Sequence, residues 1–104
     1  MESIGITEFD ALKAKDKDLL VLDVREKWEF EEVNIGASNI PLCTLPEKLS
    51  ELAPYKETQI VCHCKTGKRS RQAAKYLKKN GFRAVLSLEG GIQAYISQYS
   101  VVQD

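Results

Sequence analysis

Two periods of hydrophobic and polar positions alternate along this chain. Leu19 to Val24 is a nearly continuous apolar run with β-branched members, which predicts a strand buried on both faces. Gln59 to His63 predicts a second, short and central strand, and Phe82 to Leu88 a third. Between Asn34 and Leu42 the pattern is that of a loop, with a short strand near Ser38 to Ile40. The intervening segments have helical spacing. Thr7 with Asp10 three residues on has the form of a capping box, and Phe9, Ala11 and Leu12 then make a short apolar stripe as far as Lys15. Asp16-Lys17-Asp18 is a turn. Glu26 to Glu32 is one short acidic helix carrying Trp28 and Phe30. Leu45 opens a helix with Pro46 in its first turn; Leu45, Leu49 and Leu52 form its inner face, and Pro54 stops it. A further helix has Ser70 as expected N-cap and Gly81 as C′ residue; Ala73, Ala74 and Leu77 point inward, and Lys75, Lys78 and Lys79 face water. Glu89-Gly90-Gly91 turns into a last helix from Ile92 to about Tyr99.

Strands alternating with helices imply an α/β fold with a mainly parallel sheet. In such sheets ligands sit beyond the carboxyl ends of the strands. Cys64, Asp23-Val24-Arg25 and Glu89-Gly90-Gly91 each lie just past the end of a different expected strand, so they should converge on one edge of the sheet.

Length changes the picture little: 104 residues make one domain able to bury a core without metal or disulfide. A free-standing protein and a domain excised from a longer one would read alike. Charge is balanced at 15 basic and 15 acidic residues, so nothing global suggests nucleic acid or a membrane surface as partner. The basic residues are nonetheless clustered. Lys65, Lys68, Arg69, Arg71, Lys75, Lys78, Lys79 and Arg83 follow one another with no acid between them. Three cysteines, Cys43, Cys62 and Cys64, are not the pattern of a secreted disulfide framework. Met1-Glu2-Ser3-Ile4 has no basic, apolar leader character, and no run approaches membrane-span length. The expectation is a soluble, cytoplasmic protein of a reducing compartment.

The candidate chemistry lies in Cys64-Lys65-Thr66-Gly67-Lys68-Arg69-Ser70. A thiol at the end of a buried strand, a short loop with glycine inside it and a helix starting at once make an anion-binding cup. Backbone N–H groups can point inward, and the helix start adds partial positive charge. Lys65, Lys68 and Arg69 add full charges at the rim. A cysteine there is expected to be partly thiolate at neutral pH. The competing reading is a surface loop with a bystander cysteine.

Together with Leu22-Asp23-Val24-Arg25-Glu26, Trp28-Glu29-Phe30, Gly36 to Leu42, Gly81-Phe82 and Leu88-Glu89-Gly90-Gly91-Ile92, this loop resembles the single-domain rhodanese family of thiosulfate or persulfide sulfurtransferases. The motifs run from about residue 4 to residue 96 in the family's order and spacing. The resemblance implies a small, mainly parallel sheet of about five strands with helices on both faces, over residues 1–104. It implies Cys64 as nucleophile and persulfide carrier. Lys65, Thr66, Gly67, Lys68, Arg69 and Ser70 would bind substrate, and Asp23 and Arg25 would be a structural pair bracing the loop. It also implies a small anionic donor such as thiosulfate, a thiol, cyanide or protein as sulfur acceptor, and no cofactor. Related phosphatases and arsenate reductases carry a loop one residue longer than Cys64 to Arg69. Asn34 stands where the family often has histidine, a proline is missing from the turn after it, and Tyr95 stands where tryptophan is common.

Sulfur transfer is two displacements that both want a low-pKa cysteine, first as nucleophile and then as leaving group. No separate base is needed if the cup holds the thiolate. His63, next to Cys64 on a strand, should point to the opposite face and hydrogen-bond locally. Cys62 reads as a buried strand residue rather than a resolving thiol, because a disulfide across one residue is strained. Cys62, His63 and Cys64 are consecutive and cannot all face one metal ion. Trp28 and Phe30 could line the mouth of the site, but core packing is the preferred reading. Three other readings stand beside the sulfurtransferase: a carrier relaying persulfide sulfur between proteins in a cofactor or tRNA-thiolation pathway, a phosphatase or arsenate reductase, against which the loop length argues, and a silent binding module.

Overall fold

The two runs read as buried strands lie side by side at the middle of the sheet. A computed structural model describes residues 2–100; Met1, which belongs to the N-terminal stretch discussed above, and residues 101–104 lie outside the described residues. The elements in chain order are β1 (Ser3–Ile4), α1 (Ile6–Lys15), β2 (Leu20–Asp23), α2 (Lys27–Glu32), β3 (Ser38–Asn39), α3 (Leu45–Leu52), β4 (Gln59–His63), α4 (Lys68–Lys79), β5 (Ala84–Leu88) and α5 (Gly91–Ser100). Short 3₁₀ turns at Leu42–Thr44 and Ala53–Tyr55 flank α3. The sheet order is β1-β5-β4-β2-β3 and every pairing is parallel. This is the α/β sheet expected, with five strands.

Alternation along the central strands sorts the core into two layers. Leu22, Ile60, Cys62 and Val85 face α3 and α4, where Leu45, Leu52, Ala73, Ala74 and Leu77 close over them. Val61 and Leu88 face the other way and pack with Phe9 of α1 and Tyr95 of α5. Helices therefore cover both faces, and all polar chemistry is pushed to the strand ends.

Local expectations differ from the structure in a few places. The N-cap of α1 is Gly5, not Thr7, with the Phe9 N–H reaching the Gly5 carbonyl at 2.9 Å. Pairing of Ile4 with Leu88 in β5 ends the strand there, so the chain turns into the helix two residues early. β1 is only two residues long, too short to show a period in the sequence. The strand expected from Phe82 starts at Ala84, because the Phe82 N–H closes α4 on the Leu77 carbonyl at 3.1 Å and its ring enters the core. Trp28 is not core: it is 63% exposed, since α2 is a six-residue helix at the sheet edge, and only Phe30 is half-buried. Two of the departures from the family pattern are absorbed locally. The Asn34 side chain donates to the Phe30 carbonyl at 3.0 Å and accepts from the Gly36 N–H at 2.9 Å, closing α2. The Tyr95 ring meets Phe9 edge-on at 6.0 Å and its hydroxyl donates to Asp10 at 3.2 Å.

Candidate active site

The ends of β2, β4 and β5 meet at one edge, as their sequence positions require. The Val24 N–H donates to the His63 carbonyl at 3.0 Å, joining the turn after β2 to the end of β4. The N–H groups of Ile92 and Gln93, in the first turn of α5, donate to the carbonyls of Cys64 and Lys65 at 2.8 and 3.1 Å. The start of α5 thus holds the loop from behind, and the start of α4 is left to face the sulfur. That close approach requires glycine at position 91. Its φ is +62°, and a Cβ there would stand 2.5 Å from both loop carbonyl oxygens.

Cys64 continues the alternation of Ile60 and Cys62, so its side chain stays on the α4 face and is only 1% exposed. Its Sγ accepts the Gly67 N–H at 3.1 Å and the Ser70 N–H at 3.3 Å. Sulfur therefore satisfies N–H groups at the start of α4 that a capping side chain would otherwise take. This corrects the expected cap: the helix begins at Lys68 with Gly67 as N-cap at φ +109°, and Ser70 sits inside the first turn. The Ser70 hydroxyl is free for another task. It lies 3.6 Å from Sγ, 3.1 Å from the Gly67 carbonyl and 2.6 Å from the Ser87 hydroxyl. With a thiol, Sγ–H donates to Ser70 Oγ, which donates to the carbonyl. With a thiolate the Ser70 O–H turns to sulfur, and Ser87 can donate to Ser70. Burial pushes the Cys64 thiol up, but the Ser70 hydroxyl and the N–H groups of Ser70, Gly67 and Thr66 outweigh it, and its pKa ends below the ordinary value. Cys62, with no such donors, is pushed up to about 12 by burial and by the neighbouring Cys64 charge.

The three cations of the loop do not share one role. Lys65 and Lys68 are exposed. Arg69 instead makes a two-pronged pair with Glu29 of α2, at 2.7 and 3.0 Å. The Arg69 hydrogen bonds hold the Glu29 carboxyl down at about 2 despite its partial burial. Glu29 is itself aimed by the helix start, where its side chain accepts the Glu26 N–H at 2.9 Å. Asp23 and Arg25 are both buried, and Arg25 binds Asp23 through Nε at 2.9 Å and Nη2 at 2.7 Å. Arg25 also donates to the Glu29 and Val33 carbonyls at 3.3 and 2.7 Å. The pair thus fastens α2 to the end of β2, and α2 in turn carries Glu29 to Arg69. Thr66 is exposed and Gly67 buried, so the loop brings its backbone, Cys64 and Ser70 together while dispersing its side-chain charges.

His63 does point away from Cys64, but the expected local hydrogen bond is absent. Both ring nitrogens are buried without a partner, and Nε2 stands 3.8 Å from Asp23. Burial holds its pKa below the ordinary value, so the ring is neutral. Glu29 and Ser87 were not singled out from the sequence. Ser87 had a signal, a lone polar residue inside an otherwise apolar strand; Glu29 had another, an acid three residues beyond Glu26 at a helix start. Among the described residues no group of three His, Cys, Asp or Glu could hold a metal ion, and no helix is long and apolar enough to cross a membrane.

Known proteins are similar to this chain in sequence and in fold. A sulfurtransferase of Allochromatium vinosum is 36% identical over 83 residues, which cover 79% of this chain and 76% of that protein. A Bacillus subtilis protein named as a sulfur carrier is 38% identical over 95 residues, covering 88% of this chain but 50% of that protein, so the chain spans half of that relative's length. The crystal structure of a rhodanese-related protein from Thermoplasma volcanium matches with a TM-score of 0.80 and 32% identity, over 94% of this chain and 93% of the other. The model of the rhodanese-like domain matches residues 6–98, and with these relatives it establishes that the chain belongs to the rhodanese-like family.

Proposed function

We propose that this protein transfers sulfane sulfur through a persulfide on Cys64. The observation that carries the reading is the cup itself: one buried sulfur at the end of β4, facing backbone N–H groups and a hydroxyl that favour its anion. With thiosulfate as donor, the Cys64 thiolate attacks the outer sulfur, the S–S bond of the donor breaks, and sulfite leaves with the electron pair. An acceptor nucleophile, such as cyanide or a thiolate, then attacks the sulfur held on Cys64, and the Cys64 thiolate departs. The N–H groups that stabilise the first thiolate serve the last one equally, so both half-reactions use one geometry. Lys65 and Lys68 draw the anionic donor in, Gly67 and Ser70 hold the sulfur, and Asp23 and Arg25 keep α2 in place. No cofactor and no nucleic acid is needed for these steps. Free thiols at Cys43, Cys62 and Cys64 suit a reducing, cytoplasmic setting.

The test is intact-protein mass spectrometry after brief incubation with thiosulfate, beside a Cys64→Ser variant. The expected result is gain of one sulfur atom, reversed by cyanide and absent in the variant. Equal gain in the variant would mean a different cysteine is the carrier. The six-residue span from Cys64 to Arg69 speaks against phosphoryl transfer, and turnover of an aryl phosphate would overturn that. A second reading, supported by the Bacillus relative named as a sulfur carrier, is a domain that passes its persulfide to a protein. In that case thiosulfate-to-cyanide turnover is slow although Cys64 accepts sulfur.

A further inference from the structure

The chemistry at Cys64 leaves the outer face of α4 without a task. This helix carries Lys68, Arg69, Arg71, Lys75, Lys78 and Lys79 and no acid. Arg69 is matched from outside the helix, by Glu29 of α2. Arg71, Lys75 and Lys79 are exposed and follow one another at four-residue spacing, so they form one row of cations a turn apart. Other helices of the chain answer their lysines with acids, Lys27 with Glu31 in α2 and Lys48 with Glu51 in α3. Among the described residues no acid lies within ion-pair distance of Lys75 or Lys79.

Such a row works against the helix that bears it. Like charges at i, i+4 repel, and a cation in the first turn opposes the helix dipole. Lys78 and Lys79 suit the dipole at the end of α4, but Lys68 and Arg71 at its start do not. A face that only had to stay solvated would interleave both signs. Beside the row lies a groove of about 650 Å³, lined by Lys75, Tyr76, Lys78 and Lys79 of α4 and by Glu2. Three lysines against one glutamate leave its lining net positive. Tyr76 is half-buried against the core cluster, and lysine stems are apolar below their charged heads. The groove therefore has an apolar floor and a cationic rim.

We propose that this face of α4 docks an acidic amphipathic helix of a partner protein. Carboxylates one turn apart on that helix meet Arg71, Lys75 and Lys79, which are spaced alike, and an apolar side chain beside them enters the groove against Tyr76. A nucleic acid fits less well. Tyr76, half-buried against the core, offers bases little face to stack on, and 15 acids elsewhere balance the 15 bases, so a long polyanion gains no net attraction. A second copy of the chain also fits less well. Its own acidic helix, α2, is six residues long, with Glu29 committed to Arg69 and Glu31 beside Lys27. Lys75 and Lys79 stand about 10 and 17 Å along α4 from Lys68 at the cup, so a helix docked there leaves Cys64 open to small molecules. The site is separate from the sulfur chemistry and does not rest on it.

The experiment is fluorescence anisotropy of a labelled helical peptide with Glu at i, i+4 and i+8 and Leu on the adjoining face, titrated with the protein at low salt. A second peptide has the same residues in scrambled order. Lys75→Glu removes the middle cation of the row; Lys17→Glu, in the exposed turn after α1, makes the same change of net charge elsewhere. Wild type and Lys17→Glu should bind the ordered peptide alike, and more tightly than the scrambled one. Lys75→Glu should bind it on the order of tenfold more weakly, with one ion pair lost and one repulsion gained. Because Lys75→Glu turns two like-charge neighbours into opposite-charge pairs, its thermal midpoint should rise by a few degrees, and the alkylation rate of Cys64 should not change. A fall in the midpoint would mean that the row supports the fold, and would overturn the reading. Equal binding by Lys75→Glu and Lys17→Glu, or of the two peptides, would overturn the docking site. Tighter binding of a labelled oligouridylate than of the peptide would make the face a nucleic-acid site. A doubled mass in light scattering at low salt, lost in Lys75→Glu, would make the occupant a second copy. Either result overturns the partner helix. Sulfur uptake by Cys64 is untouched in all these outcomes, so failure here is distinct from failure of the sulfur-carrier reading.

Discussion

Replacing Ser70 with alanine tests the electrostatics of the cup most directly. The variant keeps both backbone N–H groups on Cys64 Sγ, at 3.1 and 3.3 Å, and removes only the hydroxyl at 3.6 Å. A hydrogen bond to a charged group is worth about 1.5–3 kcal/mol, and the length of this one places it at the lower end, about 1.5 kcal/mol. That is roughly a tenfold shift of the thiol–thiolate balance toward thiol. The more basic thiolate is also a better nucleophile, with a Brønsted slope of about 0.4–0.5, so the alkylation rate falls about three- to fourfold rather than tenfold. The assay is the pH profile of the Cys64 reaction with iodoacetamide, in a Cys43→Ser background because Cys43 is exposed. Cys62 stays silent, its thiol pushed up to about 12. The rate in Ser70→Ala should be three- to fourfold lower on the acid side of the profile and equal or higher on its alkaline plateau. A profile that superimposes on the wild type, or moves to lower pH, would refute the hydroxyl's part in holding the anion. Ser87→Ala should move the profile the same way by less, with Ser87→Thr restoring it. Ser70→Ala also leaves the buried Ser87 hydroxyl without its partner at 2.6 Å, costing about 1–3 kcal/mol of stability. The double alanine variant should then cost less than the sum of the two single ones.

Other outcomes follow from the same structure. Gly91→Ala forces a Cβ to 2.5 Å from the Cys64 and Lys65 carbonyl oxygens at φ +62°, so transfer activity should be lost together with at least about 1–3 kcal/mol of stability in a urea melt. Arg25→Gln leaves Asp23 buried and uncompensated, and unfolding experiments should show a loss of about 3–5 kcal/mol. His63, the chain's one histidine, is held neutral by burial. The unfolded chain binds its proton below about pH 6.5 and the native one only at lower pH, so its effect is absent above pH 6.5 and destabilises as pH falls below it. The urea midpoint should therefore drop less between pH 7.5 and 5.5 in His63→Leu than in the wild type. An equal drop in both would assign the acid sensitivity to carboxylates.

The elements that were legible in the sequence are those whose burial leaves a period. Gln59–His63 is a strand as read, and Leu45–Leu52 is a helix whose apolar face and first-turn proline both show in the order of residues. Elements made by a neighbour were not legible. β1 exists because β5 offers it an edge, and the cap of α1 moved from Thr7 to Gly5 for the same reason. Ser70 has the residue type of an N-cap, and only the position of Cys64 Sγ shows why it is not one. Trp28 carried no mark of exposure, because an aromatic residue on a short helix looks the same whether or not another element covers it.

For function the division is similar. Sequence by itself determined the candidate cysteine, its loop, the parallel sheet and the convergence of three strand ends, because each depends on chemical type and on spacing along one strand or turn. Tertiary structure decided which charges the site keeps. Arg69 and Glu29 are 40 residues apart in the chain and meet because Arg25 fastens α2 to the end of β2. Ser87 joins the thiol's hydrogen-bond chain because β5 runs beside β4 with that side chain turned toward α4. A sequence states how many charges a loop carries; whether those charges are free depends on what faces them across space, and short-range pattern holds no record of that.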